Sequence, residues 1–174
     1  MFALFVFLIS PIVVAKEGVK TVCKADEVVG SYVNFEEPYL FQLTLGTGSI
    51  ANLYTTLFPD FMITFGTQSP FIGSWECRKD GTLLVTFLMG NYAHADSNPY
   101  TGAPISDISL ASHDRATYLF NVESIDSLRL IQSALRRYSL TQDPTDAGDG
   151  SFLFENAEDL LYKRLIPSNA DLLP

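Results

Sequence analysis

Alternation of apolar and polar side chains with a period of two constrains this chain more than any other feature. In Tyr39-Leu40-Phe41-Gln42-Leu43-Thr44-Leu45, Phe41, Leu43 and Leu45 fall on one face, and Gln42 and Thr44 on the other. That is the side-chain period of a strand, not of a helix. After the turn residues Gly46-Thr47-Gly48, Ser49 to Tyr54 resumes as a partner run, and Phe61 to Phe65 is another. Gly73 to Arg78 puts Trp75 and Cys77 on one face. Lys79-Asp80-Gly81 follows, and Asp-Gly between two β-like runs predicts a hairpin because both residues tolerate positive φ. Thr82 to Met89 is almost continuously apolar, and Arg115 to Val122 alternates with Tyr118, Phe120 and Val122 on one side. Ser127 to Leu140 fits a helical stripe (Leu128, Ile131, Leu135, Tyr138) and also two strand segments joined by a bend; the β setting favours strands. Phe152 to Phe154 and Tyr162 to Ile166 are the last runs, with Asn156 to Asp159 between them able to cap a short helix. Asn91 to Asp114 and Asp143 to Gly150 read as loops, rich in Asn, Asp, Ser, Gly and Pro. The expected fold is all-β: a single antiparallel barrel of about eight strands, with a sandwich as the alternative.

A chain of 174 residues holds one such domain. Met1 to Ala15 carries no charged side chain; an apolar run is broken by Pro11 and ends on Val13-Val14-Ala15. That is the layout of a secretory signal peptide, although its n-region lacks Lys and Arg. The expected organisation is a signal peptide over 1–15, a barrel domain over 16–168 and a C-terminal tail over 169–174. No second long apolar run suggests a transmembrane segment after the leader is removed. The two cysteines, Cys23 and Cys77, are expected to form a disulfide in an oxidising compartment, either periplasmic or extracellular. The net charge of −9, from 11 Lys and Arg against 20 Asp and Glu, leaves no basic face for a nucleic-acid partner.

The tripeptide Gly30-Ser31-Tyr32 recurs as Gly73-Ser74-Trp75. A Gly-x-aromatic opening a strand, in a small exported chain of successive hairpins, resembles the lipocalin and wider calycin barrels. There a Gly-x-Trp opens the first strand, and a late Arg packs over the Trp at the closed end. Gly30-Ser31-Tyr32 stands at that position with Tyr in place of Trp, while Gly73-Ser74-Trp75 has the residues but lies too late. Arg136, Arg137 and Arg164 are the candidates for the late Arg, and the family's middle Thr-Asp-Tyr signature is absent. The layout is similar, too, to secreted barrels of the allene oxide cyclase and dirigent type.

Motifs of catalysis are missing: there is no Gly-x-Ser-x-Gly elbow, His-Glu-x-x-His or Walker loop. His94 and His113 each lie near an Asp but near no nucleophile. Asp143, Asp146 and Asp149 recur every third residue, unlike a calcium loop. No cofactor and no metal is expected. The aromatics Trp75, Tyr118, Phe120 and Tyr138 either line a ligand cavity or fill a dry core. If the disulfide covers one end of the barrel near Trp75, the loop Asn91 to Asp114 lids the other, with Tyr92, His94 and Tyr100 on the rim. The functional expectation is a secreted, non-catalytic barrel that binds a small hydrophobic ligand or a protein partner. The alternative is a barrel enzyme that steers a small lipid-like substrate by shape.

Overall fold

Backbone hydrogen bonds join the alternating runs into one antiparallel sheet that closes on itself. The structure, a computed structural model, describes residues 22–36, 39–55, 67–93, 109–146 and 148–166. A one-turn helix, α1 (Ala25–Val28), precedes nine strands: β1 (Gly30–Glu36), β2 (Tyr39–Leu45), β3 (Ile50–Thr55), β4 (Thr67–Gln68), β5 (Phe71–Cys77), β6 (Leu83–Ala93), β7 (Ser109–Ser124), β8 (Ser127–Tyr138) and β9 (Ser151–Arg164). The short β4 pairs with the far end of β6 on the side that β5 also uses. The remaining strands form an up-and-down barrel of eight, in the order β1-β2-β3-β5-β6-β7-β8-β9, with β9 returning to β1. The expected fold class is therefore what the chain adopts.

Most runs stand where the pattern puts them. The Asp80-Gly81 hairpin joins β5 to β6, with Gly81 at φ 84° and the Asp80 carboxylate accepting from the Thr82 amide at 3.0 Å. Three expectations need correction. Ser127 to Tyr138 is one continuous strand with a bulge at Ile131, not two segments joined by a bend. Asn156 to Asp159 lies inside β9 and caps no helix. The segment read as a loop over Asn91 to Asp114 is strand at both ends, because β6 runs to Ala93 and β7 starts at Ser109. The run Phe61 to Phe65, the leader and the C-terminal tail lie outside the described residues.

One end of the barrel is closed by three sets of contacts. Val28, on α1, is fully buried against the core. Cys23 and Cys77 stand at disulfide distance, with Cα atoms 5.4 Å apart, and the Cys23 amide donates to the Gly81 carbonyl at 3.0 Å. Trp75 and Cys77 share the inner face of β5, and the Trp75 Nε1–H donates to the Gly46 carbonyl at 3.0 Å. Here β5 and β6 run so close that a Cβ on Gly73 would stand 1.8 Å from the Thr86 carbonyl oxygen.

The closure of β9 on β1 lies at the same end. The two strands share only the pairs Tyr32↔Arg164 and Val33↔Lys163. Tyr32 is fully buried, and its hydroxyl donates to the Val28 carbonyl at 3.0 Å. Arg164 donates from Nη2 to the Tyr32 hydroxyl at 2.7 Å and to the Glu27 carbonyl, and its guanidinium lies over the Tyr32 ring. Of the three candidate late arginines, Arg164 is the one on the Gly-x-aromatic pair. Replacing Arg164 by Leu removes the charged donor to the Tyr32 hydroxyl and the cation–π contact, for an expected loss of about 2–3 kcal/mol. Tyr32→Phe is expected to lose about 1 kcal/mol. Denaturant midpoints measure both. If Arg164→Leu destabilises no more than Lys163→Leu, its exposed neighbour in sequence, the closure does not rest on Arg164.

Candidate functional site

The inner face changes character along the barrel axis. Near the closed end the inward residues Leu45, Leu83, Val85, Phe120 and Leu128 are fully buried. Towards the other end Phe41, Phe71, Tyr118, Leu135 and Leu160 pack on the same core yet keep part of their surface accessible. The interior is therefore a cup with a packed foot and a mixed upper half, where these partly accessible side chains stand beside the buried Met89, Asn91, Ala116 and Asp114. Strand length gives it uneven walls: β1, β2 and β3 have 7, 7 and 6 residues, whereas β6 to β9 have 11, 16, 12 and 14. A barrel of eight strands encloses either packed side chains or one small ligand.

Aromatic rings line the taller wall edge to face. Ring centroids lie 6.4 Å apart for Phe71–Phe87, 5.7 Å for Phe87–Tyr118, 6.4 Å for Tyr118–Phe120 and 5.5 Å for Phe120–Tyr162. Burial pushes the Tyr118 phenol up to about 12, with the Glu158 charge adding to it. Burial also raises the Tyr162 phenol, followed by Tyr118 and Glu158.

Polar groups meet this wall from several strands. Asp114, 1% exposed, accepts both guanidinium hydrogen bonds of Arg137 at 2.8 Å, a bidentate pair that raises the Arg137 pKa. Ser133, directly across from Tyr118 on β8, donates to Glu158 Oε1 at 2.7 Å. Asn91 donates to Ser112 at 3.1 Å. On the low wall Asn34, Phe41 and Thr55 form one row across β1, β2 and β3. The Asn34 amide nitrogen bridges to the Leu161 carbonyl at 3.0 Å, while Asn34 Oδ1 and Thr55 Oγ1 are buried without a hydrogen-bond partner.

The residues singled out from sequence divide into three groups. Tyr118 lies inward and partly accessible, whereas Phe120 points inward but belongs to the packed foot. Trp75 points inward as expected but belongs to the closed foot, where its indole N–H is satisfied by Gly46. Tyr92 and Tyr138 are on the outer face. Tyr92 follows the inward Asn91 on β6, and Tyr138 follows the inward Arg137 on β8. Tyr138 is buried nonetheless, because Gly150 and the turns before it fold back over its ring. His94 and Tyr100 lie outside the described residues. Glu158, Ser133, Asn34, Thr55 and the Asp114–Arg137 pair are the functional candidates that residue type alone did not bring forward. Stepping by two from Tyr162 through Leu160 does reach Glu158 and would have placed a carboxylate on the inner face.

A second concavity of about 610 Å³ lies on the outer wall of β5, β6 and β7, lined by Ile72, Ser74, Leu84, Thr86, Leu88 and Arg115 among others. Among the described residues, no grouping of His, Cys, Asp and Glu could hold a metal ion, and no helix is long and apolar enough to cross a membrane.

The fold is that of an up-and-down eight-stranded β-barrel, and the Gly30-x-Tyr32 pair under Arg164 is compatible with the lipocalin-like resemblance. No family model, curated protein or solved structure matches the chain.

The buried phenols set a test in alkali. Tyr32, Tyr118 and Tyr162 all hold their protons more tightly in the folded state, for Tyr32 because burial outweighs the opposing Arg164. Folding therefore retains protons that the unfolded chain releases near pH ~10. Stability is full below that pH and falls as pH rises through the folded values, to about 12 for Tyr118. In a spectrophotometric titration these three phenols are expected to ionise only together with loss of β circular dichroism. Ionisation of all eight tyrosines near pH ~10 with the fold intact would contradict the buried placement.

Proposed function

We propose that this chain is exported and carries one small ligand with an apolar body in the upper half of its barrel. One observation carries the reading: several inward apolar residues above the foot, Phe41, Phe71, Tyr118, Leu135 and Leu160, keep accessible surface inside a barrel whose foot is packed. A barrel built only for stability would be expected to fill its interior along its whole length. The concavity on the outer wall of β5, β6 and β7 is the alternative seat.

Export is supported by the leader-like Met1 to Ala15 and by the Cys23–Cys77 pair, since such crosslinks persist in oxidising compartments. Intact mass of the protein recovered from a secreting host is expected to correspond to a chain starting at Lys16, lighter by the hydrogens lost on forming one disulfide. Retention of the leader, or two thiols that alkylate without reductant, is the contrary result.

Ligand carriage is tested with octan-1-ol by calorimetry. One site per chain is expected. Leu135→Trp, which places an indole in the mouth of the cup, is expected to weaken binding at least roughly tenfold with the β circular dichroism unchanged. Binding that Leu135→Trp leaves intact, but that Leu88→Glu abolishes, would move the site to the outer groove.

A further inference from the structure

We propose that the concavity on the outer wall is a second site, separate from the cup, for a carboxylate with an apolar tail: its head on Arg115, its tail over Leu88 and Ile72. This goes beyond the cup reading and does not depend on it.

One row across the outer wall carries the argument. Ile72 on β5 faces Leu88 on β6, Leu88 faces Arg115 on β7, and Arg115 faces Arg136 on β8. Two apolar side chains are thus followed by two guanidiniums. Ile72 is 57% exposed and Leu88 36%. Neighbouring strands stand about 4.8 Å apart, which puts Ile72 about 10 Å from Arg115. The concavity spans the first three members of the row, with Pro144 and Thr145 beside Arg115. Its volume of about 610 Å³ falls within the roughly 300–1,000 Å³ of small-molecule sites.

The two arginines are set against their own repulsion, because like charges directly opposite on neighbouring strands are destabilising. Among the described residues no carboxylate stands within ion-pair distance of either, whereas Arg78, Arg129, Arg137 and Arg164 each have one. Acids are not scarce, at 20 Asp and Glu against 11 Lys and Arg. The turns between β8 and β9 carry several, yet they meet both arginines through carbonyls. Arg115 donates to Pro144 at 3.3 Å and Thr145 at 3.0 Å, and Arg136 donates to Gly150 at 3.1 Å. The carboxylate of Asp143 accepts instead from the Thr145 amide and hydroxyl, and that of Asp146 from the Gly148 amide.

Arg115 keeps the edge that reads a carboxylate. Both of its hydrogen bonds run from Nη1, so among the described residues Nε and Nη2 have no acceptor. Arg137 shows what that edge does in this protein: its Nε and Nη2 hold the two Asp114 oxygens at 2.8 Å each. A ligand carboxylate can take the same bidentate position on Arg115. Its tail then covers the exposed Leu88 and Ile72. Glu76 also lines the concavity, four residues along β5 from Ile72 and so about 13 Å away. It is exposed and stays hydrated, whereas Arg115 is half-buried and gains more from a partner. The charges at the two ends therefore set the head at Arg115.

Octanoate and octylamine, alike in tail and opposite in charge, test the site by calorimetry at pH ~7. Both are titrated into the native chain and into Leu135→Trp, which obstructs the cup. In Leu135→Trp octanoate is expected to keep one site and to bind it at least roughly tenfold more tightly than octylamine. Adding Arg115→Gln should weaken octanoate at least roughly tenfold. Adding Leu88→Glu instead, which leaves the Arg115 bonds to Pro144 and Thr145 in place, should do the same by setting a carboxylate directly opposite the guanidinium. The β circular dichroism should not change in either. Equal binding of the two ligands, or an octanoate affinity that survives both variants, overturns the assignment to Arg115. Octanoate binding that Leu135→Trp abolishes seats the anion in the cup, which overturns the outer site and leaves the cup standing. No octanoate binding to either chain overturns the outer site, and octan-1-ol then still decides the cup.

Discussion

The return of β9 onto β1 is the contact on which the rest of the barrel depends. With the short β4 set aside, every other pair of neighbouring barrel strands is consecutive along the chain, so each closes a far shorter loop. Closure instead brings together Arg164 and Tyr32, separated by 132 residues. Only two residue pairs of ladder reward that long loop. The guanidinium makes up the difference: it gathers the Tyr32 hydroxyl, the Glu27 carbonyl and the Tyr32 ring at one point, and Leu165 adds a backbone bond to Ser31. Tying α1 into the same knot means that the helix, the first strand and the last strand are fixed together.

Closing the seam at one end only has consequences at the other. The backbone ladder clamps the strands at the foot, and beyond Val33↔Lys163 the Asn34 side chain, bonded to the Leu161 carbonyl, spans them instead. The β9 edge that leaves β1 is a liability, since Phe152, Leu153 and Phe154 are all more than 40% exposed there. Charge offsets it. Glu155 is held by Gln132 and Asp159 by Arg129, so acidic side chains are fixed along the strand and discourage the addition of another chain.

Much of this was legible in the alternation, and the misreadings share a cause. Period-two runs without interruption, such as Tyr39 to Leu45, correspond to strands with the expected faces. Ser127 to Tyr138 looked ambiguous because Ile131 is a bulge: Leu128 and Leu130 point inward before it, Ser133, Leu135 and Arg137 after it. A one-residue phase change makes a strand mimic a helical stripe, and it carried Tyr138 to the outer face while it was being counted as lining. The β9 strand was split in two for a related reason. Its polar stretch from Glu155 to Asp159 reads as a break when strands are expected to be apolar on one face throughout. Arg164, by contrast, was only one of three arginines by sequence, because nothing in local pattern says which one returns to Tyr32.

The same bulges decide what the interior can do. Ile131 in β8 opposes a longer irregularity in β9, where the ladder passes from Leu160 to Ala157. Together they bring the Ser133 hydroxyl and the Glu158 carboxylate to meet beside Tyr118. At the closed foot the Trp75 Nε1–H and the Tyr32 O–H have partners, whereas Arg164 Nε there, like Asn34 Oδ1 and Thr55 Oγ1 above it, is buried without a hydrogen bond. The two halves of the barrel, built from the same strands, therefore differ in how much inward apolar surface they leave accessible and not in how completely their polar groups are paired.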